Sequence, residues 1–416
     1  MVSLLCMVGR NEATRVTRLP GKTSPKHSHK NWRNLSLLSS LMAFLVAFLW
    51  ALGPEASMVP RLTSARAATY EGFGATTPGG AGQPTYWVTH LGDGGSGSLR
   101  DAVAQGYRNI AFRVGGEIRL SQDIYVKGPY LTIDGTTAPA PGITLRSHGL
   151  IVSGTAVHDV IVRGIRVRDS QGCDNCGSGQ SGSGIIVTAG AYNVVIDQVS
   201  VQGACDQALS VVKQAHDVTV QWSIFVGEGC QTNPLPVLIG YQANRVSFHH
   251  NLMTKGYERL PQVMWLDSGA QATDTQIDLR NNLMWDWGYA ASQIWKGTKA
   301  NVVNNYYNDP NASDNGKKRA IYFCKAGSTA PQCDGTDPKL YARAYIAGNV
   351  SGHGPDITTY LNSLGTESQP FSAPTITMSD ACTAAQQVLA NAGVRPLDAV
   401  DKKYIAMVSI SPCTAP

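Results

Sequence analysis

The sequence predicts an all-β protein built as a solenoid, a single-stranded right-handed parallel β-helix, and three observations carry that prediction. The first is a repeated template, apolar, one residue, apolar, two residues, then Asn and two apolar positions, as in Val246, Phe248, Asn251, Leu252 and Met253. It recurs at the same offsets in Ile277, Leu279, Asn282, Leu283 and Met284, and again around Asn305 and Asn349. Upstream, Val160/Val162/Ile165, Val194/Ile196/Val199 and Val218/Val220/Ser223 keep the spacing without the Asn. The second observation is the period: positions 165, 199, 223, 251, 282, 305 and 349 are spaced by 23 to 44 residues. That suits one coil of three short strands per period, with insertions confined to loops. Stacked coils would put Asn251, Asn282 and Asn305 in a column where amides bond one another and the backbone. The third is composition: charged residues are only 15% and Gly numbers 43, which fits a turn-rich β protein rather than a helical one. A β-sandwich with Asn-rich turns is the competing fold.

In chain order, residues 1–67 read as a leader. A basic stretch ending at Lys30 and Arg33 precedes the apolar run Leu37–Leu52, and Ala65-Arg66-Ala67 fits a small-x-small cleavage rule. The mature chain is then expected to begin near Ala68 and to be secreted, with an uncleaved membrane anchor as the alternative. The formal charge of +5 is concentrated in this leader, whose nine basic and two acidic residues leave a net −2 beyond it. No basic face for nucleic acid and no membrane contact after cleavage are implied. Eight cysteines remain outside the leader, an even set that suits disulfides in an exported protein. Cys324–Cys333 and Cys382–Cys413 are the expected local staples, with a metal use of Cys173 and Cys176 the alternative. Residues 68–416 form one β-helix domain, with a C-terminal capping segment from about residue 380.

Residues 69–103 contain a Gly-rich entry, the strand Tyr86-Trp87-Val88-Thr89, and Gly97-Ser98-Leu99-Arg100 leading a short helix that would cap the first coil. A cap is needed because that coil otherwise exposes its interior and an unpaired edge. This run resembles the opening of secreted bacterial pectate lyases. IAFRVGGEIRL at 110–120, the Thr132-Ile133-Asp134-Gly135 turn, residues 193–211, 218–229 and 246–261, and the ending at 392–405 continue the resemblance across 69–405.

The resemblance implies a calcium-assisted β-elimination of polygalacturonate or a related uronate polymer by a monomer. In that family calcium bridges acidic side chains to the uronate carboxylate, and an arginine removes the carbon-5 proton. Arg259, in Glu258-Arg259-Leu260-Pro261, stands at the catalytic arginine's place. Asp206 in Cys205-Asp206-Gln207 matches an acidic position of the family; Asp169 and Asp197 are the further candidate ligands. The chain departs from the family pattern at Gly182-Ser183-Gly184, at Gln198 and at Gln262, so the ligand set stays open, with Asp174 another acid within reach.

Asp206 lies seven residues past position 199 and Arg259 eight past Asn251, so both should emerge on one flank of the stack. Trp285, Trp287 and Trp295 offer either a stacking platform for sugar rings or core filling. His249 and His250 read as turn histidines. The alternative function is a noncatalytic carbohydrate-binding or surface β-helix.

Overall fold

The computed structural model describes residues 70–170, 182–229, 234–265, 275–295, 297–311, 319–323, 342–352, 358–359, 366–411 and 413. The leader, the Cys173/Cys176 pair, Asp174 and the Cys324–Cys333 staple fall outside them.

The chain winds through three parallel sheets, called here A, B and C in the order each coil visits them. Among the described residues sheet A has ten strands and sheets B and C nine each, so every strand pairs with its equivalents one coil earlier and later. The repeated apolar positions explain the stacking. Val160, Val194, Val218, Val246 and Ile277 stand in exact register on neighbouring sheet A strands and are all buried. Each is therefore the knob under the next coil, and their apolar area is removed from water without any helix being needed.

The turn from sheet A to sheet B explains the Asn template. The residue before each column position, including Gln198, Trp222, His250, Asn281 and Asn304, is left-handed, with φ between 47° and 55°. That bends the chain from sheet A to sheet B within two residues and leaves the next side chain buried. At the earlier and later coils the same place is held by Gly164 and Gly348, at φ 67° and 65°, where glycine meets no steric penalty. The Asn amides then form the ladder: Asn251 donates to Asn282 (3.1 Å), Asn282 to Asn305 (3.0 Å) and Asn305 to Asn349 (3.0 Å). Each also donates to a main-chain carbonyl of the preceding coil, as Asn282 does to Phe248 (2.8 Å).

Helix α1, Leu99–Ala102, caps the first coil as the sequence implies; the Ser98 side chain accepts from the Asp101 backbone N–H, and Leu99 and Ala102 are buried. Residues 71–80 lie over sheet A, where the Phe73, Gly74 and Gly80 N–H groups donate to Ser247, Thr219 and Thr132 hydroxyls. The C-terminal segment forms helix α2, Ala381–Asn391, and helix α3, Ala399–Met407. These lie along the flank of sheet B, packing Ala381, Ala385, Val388 and Tyr404 against Ile224, Val226, Leu252, Leu283 and Tyr306. Two buried arginines of sheet B fix them: Arg168 reaches Asp401 at 2.8 Å and Asp398 at 3.0 Å, and Arg166 approaches Asp398 at 3.4 Å. Cys382 and Cys413 are disulfide-bonded, tying the start of α2 to the chain end. Among the described residues no helix is long and apolar enough to cross a membrane.

Candidate active site on sheet C

The site is assembled where coils pass from sheet B to sheet C. Arg259 lies just before the sheet C strand Gln262–Met264. Its backbone is pinned from both sides: its carbonyl accepts from Val237 N–H (3.0 Å), and the next residue, Leu260, donates to the Ala291 carbonyl (2.9 Å). Leu260 itself is fully buried, so the arginine leaves from a fixed base while its own side chain is half-buried.

Asp206 immediately precedes the sheet C strand Gln207–Val212, at the same junction two coils earlier. Burial pushes its carboxyl upward, and the nearby Arg259 charge together with a hydrogen bond from the Gln207 amide pulls it back. The Arg259 charge thus acts on Asp206 from two coils away. Outward from the sheet beside them runs a row of uncharged polar side chains. Ser210 donates to Gln207 (3.0 Å), and Gln262 and Gln293 are register partners, with Gln293 also donating to Glu258 (2.9 Å).

Asp169 also lies at this junction, at the end of a sheet B strand and against Gly203, but its carboxylate is held by Arg146 at 2.5 Å. Asp197 does not join them. It ends a sheet A strand, buried at the A-to-B junction, where Gln221 donates to it at 3.1 Å. Burial raises its pKa to about 6, opposed by the Gln221 bond and by Arg163. The offset explains the difference: Asp197 precedes position 199, whereas Asp169 and Asp206 follow their column positions by a whole strand.

Calcium is selected by six to eight oxygen ligands. The described residues at this junction include the carboxylates of Asp206, Asp169 and Glu258, of which Asp169 is paired with Arg146 and Glu258 accepts from Gln293, and among the described residues no three His, Cys, Asp or Glu side chains gather into a metal site. Taken alone, this donor set does not fit a calcium ion.

The three tryptophans do not form one exposed face. Trp287 belongs to the central core, and Trp285 and Trp295 are only 5% and 8% exposed, on sheets B and C. His249 and His250 sit at the far junction, side by side with Nδ1 atoms 2.9 Å apart, and His250 stacks on Trp222. Burial lowers His249 to about 3 and His250 to about 4, so both are neutral turn residues.

The sequence reading missed a group just beyond Arg259. Tyr257 stacks on Tyr289, Tyr289 meets Tyr322 edge-on, and the Arg319 guanidinium lies 4.2 Å from the Tyr289 ring centre and 5.3 Å from that of Tyr322. The available signal was positional: Arg319 stands three residues before Tyr322, as Arg259 stands three before Gln262.

This three-sheeted coil, with an arginine and an acid on the edge of sheet C, has the architecture of the pectate-lyase right-handed parallel β-helices. Comparison with known proteins bears that out in fold and in sequence. No protein-family profile matches the chain. A probable pectate lyase C of Emericella nidulans is 35% identical over 237 residues, covering 57% of this chain and 51% of that protein. A probable pectate lyase C of Neosartorya fischeri is 35% identical over 241 residues, covering 57% and 52%. The chain thus spans about half the length of the curated relatives it matches. Among solved structures, the cedar pollen allergen jun a 1 aligns with a TM-score of 0.56 at 18% identity, covering 78% of this chain and 92% of that one. A pectate lyase from Bacillus sp. N165, solved with trigalacturonate, also gives 0.56 at 18% identity, covering 78% and 98%. The resemblance read from the sequence is to bacterial enzymes, whereas these curated relatives are fungal.

Proposed function

We propose that the protein is a secreted polysaccharide lyase that cleaves pectate, or a related acidic plant-type uronate polymer, by β-elimination with Arg259 as the base. The observation that supports this most is the placing of Arg259 beside Asp206 at the edge of sheet C, in a fold and sequence similar to pectate lyases.

In the reaction the neutral guanidine form of Arg259, its own proton already released to solvent, takes the carbon-5 proton on a nitrogen, and the C–H electron pair becomes the C4=C5 double bond. The C4–O bond breaks, and the departing sugar oxygen takes a proton from water. The Asp206 charge favours the guanidinium that forms as the proton is taken, and Gln207 holds Asp206 in turn; the fixed main chain around Arg259 keeps the base from swinging away.

The test is absorbance at the unsaturated-uronate band when the purified protein meets polygalacturonate, with added calcium and with chelator. Product in either condition supports the reading, and the difference between the two reports any metal requirement. Binding of the polymer without product in both conditions would overturn it in favour of a carbohydrate-binding β-helix.

A further inference from the structure

The outer face of sheet C, beside which Arg259 stands, differs in charge from the other two. On sheet A the outward positions carry the pairs Asp134–Arg163 (2.6 Å) and Asp278–Arg280 (2.7 Å), and on sheet B the pair Glu117–Arg146 (2.6 Å). On sheet C an outward column runs from Tyr125 through Ile151, Ile186, Ser210 and Leu238 to Gln262, each in register with the next, and no member is charged. The alternate residues of the same strands, such as Ile185, Leu209, Val237 and Val263, fill the core, so the column faces away from it. Tyr125 is 49% exposed and Ile186 is half-buried. Two residues past Gln262, Met264 packs with Trp295 and Tyr322 in a small apolar cluster of its own. The column passes the base, because the Arg259 carbonyl accepts from the N–H of Val237, next to Leu238, and Gln262 lies three residues beyond Arg259.

This bears on the group attached to carbon 5 of the sugar, which is bonded to the carbon that loses the proton and so is held where the reaction occurs. If that group is a free carboxylate, removing the proton builds a second negative charge beside the first. The described side chains are poorly equipped to answer two charges: Asp169 is held by Arg146, Glu258 accepts from Gln293, and Asp206 adds negative charge rather than removing it. An apolar surface also penalises an unpaired charge. If the carboxyl is an ester, the sugar starts neutral and its carbon-5 proton is more acidic, since the single charge that develops spreads onto the ester carbonyl. The alkyl group then meets side chains of its own polarity.

Resting on the lyase reading above, we propose that the site takes a carboxyl-esterified uronate polymer, the methyl ester being the smallest case, in preference to the free acid at the sugar that Arg259 deprotonates. The proton passes from carbon 5 to the neutral guanidine, the C–H pair forms the C4=C5 bond, and the C4–O pair leaves on the departing sugar oxygen, which takes a proton from water. The ester bond is not broken.

The test uses the full chain on uronate polymers of low and high methyl esterification, with chelator and with calcium. It reads the rate of unsaturated product and, by mass spectrometry, whether the unsaturated end carries the ester. An unpaired charge on an apolar surface costs about tenfold or more in affinity. In chelator, kcat/KM should therefore be at least about tenfold higher on the highly esterified polymer, and the unsaturated ends cut from a partly esterified one should be esters. Gln262→Lys, which sets a cation three residues from the base, should narrow that preference severalfold by a gain on the free acid. The wild-type products decide the matter even where Gln262→Lys does not fold. Unsaturated ends that are free acids, or a faster reaction on the unesterified polymer in chelator, would overturn the inference and leave the lyase reading intact. An unchanged preference in folded Gln262→Lys also overturns it, by showing that the column does not meet the reacting sugar. Unsaturated product from neither polymer in either condition overturns both.

Discussion

Replacing Asn282 by Ala should destabilise the stack more than any comparably small surface change, and the ladder allows the cost to be worked out. The Asn282 side-chain oxygen accepts from both the backbone N–H and the amide of Asn251, each at 3.1 Å. Its amide donates to the Phe248 carbonyl at 2.8 Å and to Asn305 at 3.0 Å. The Asn251 amide keeps its bond to Val220 and the Asn305 oxygen keeps the Asn282 N–H, so the Asn251 N–H is orphaned and the Phe248 carbonyl loses its side-chain donor. All these residues are fully buried, and an orphaned N–H costs about 1–3 kcal/mol. The variant should lose about 1–3 kcal/mol in urea denaturation followed by circular dichroism. Amide exchange should accelerate first at Asn251, because a solenoid opens locally between neighbouring coils. A loss below about 1 kcal/mol, or faster exchange spread evenly over all coils, would refute the claim that the ladder holds the turns.

Asp197 gives a pH-dependent prediction. Its folded pKa of about 6 lies above the ordinary 3.8, so the stability linked to its proton is complete below about pH 4 and is lost as pH rises through about 6. Asp197→Asn should gain up to about 3 kcal/mol over wild type at pH 8 and nothing at pH 4, read as the difference in unfolding free energy at the two pH values. The Cys382–Cys413 bridge closes a span of 31 residues, and replacing both cysteines by Ala should cost about 3–4 kcal/mol on the chain-entropy account, seen as a lowered Tm. Asp206→Asn should lower the elimination rate about tenfold by removing the charge that favours the protonated Arg259 formed in the reaction, while its Tm holds or rises because a half-buried carboxylate is gone.

Much of the fold was legible because the coil imposes its geometry on the sequence. A turn of one left-handed residue followed by an inward one fixes the offset from Val246 and Phe248 to Asn251, and the same geometry repeats wherever the chain turns from sheet A to sheet B. That Asp206 and Arg259 both fall between a sheet B and a sheet C strand follows from the same geometry, since their offsets of seven and eight residues from the column positions span one sheet B strand each. The tryptophans were not. Alternation would put Trp285 and Trp287 on one face, but Asp286 between them is left-handed, at φ 59°, and sends Trp287 inward to the core. Helices α2 and α3 could be read as a C-terminal segment but not placed on sheet B. Their docking depends on Arg166 and Arg168 meeting Asp398 and Asp401, residues some 230 positions away in sequence. Arg319 escaped notice because its kinship with Arg259 appears only once Gln262, Gln293 and Tyr322 are known to be neighbours.

The central claim is that Arg259 removes the proton, and the most direct measurement is the initial rate of unsaturated product from polygalacturonate for wild type, Arg259→Lys and Arg259→Ala, with Tm recorded for each. Loss of a positioned proton-transfer group costs on the order of 10²–10⁴ in rate, and the ammonium of Lys cannot reproduce a planar guanidinium that faces the substrate while answering Asp206. The account predicts that both variants fall by at least the lower figure with Tm almost unmoved; an Arg259→Ala protein that eliminates at the wild-type rate would contradict it.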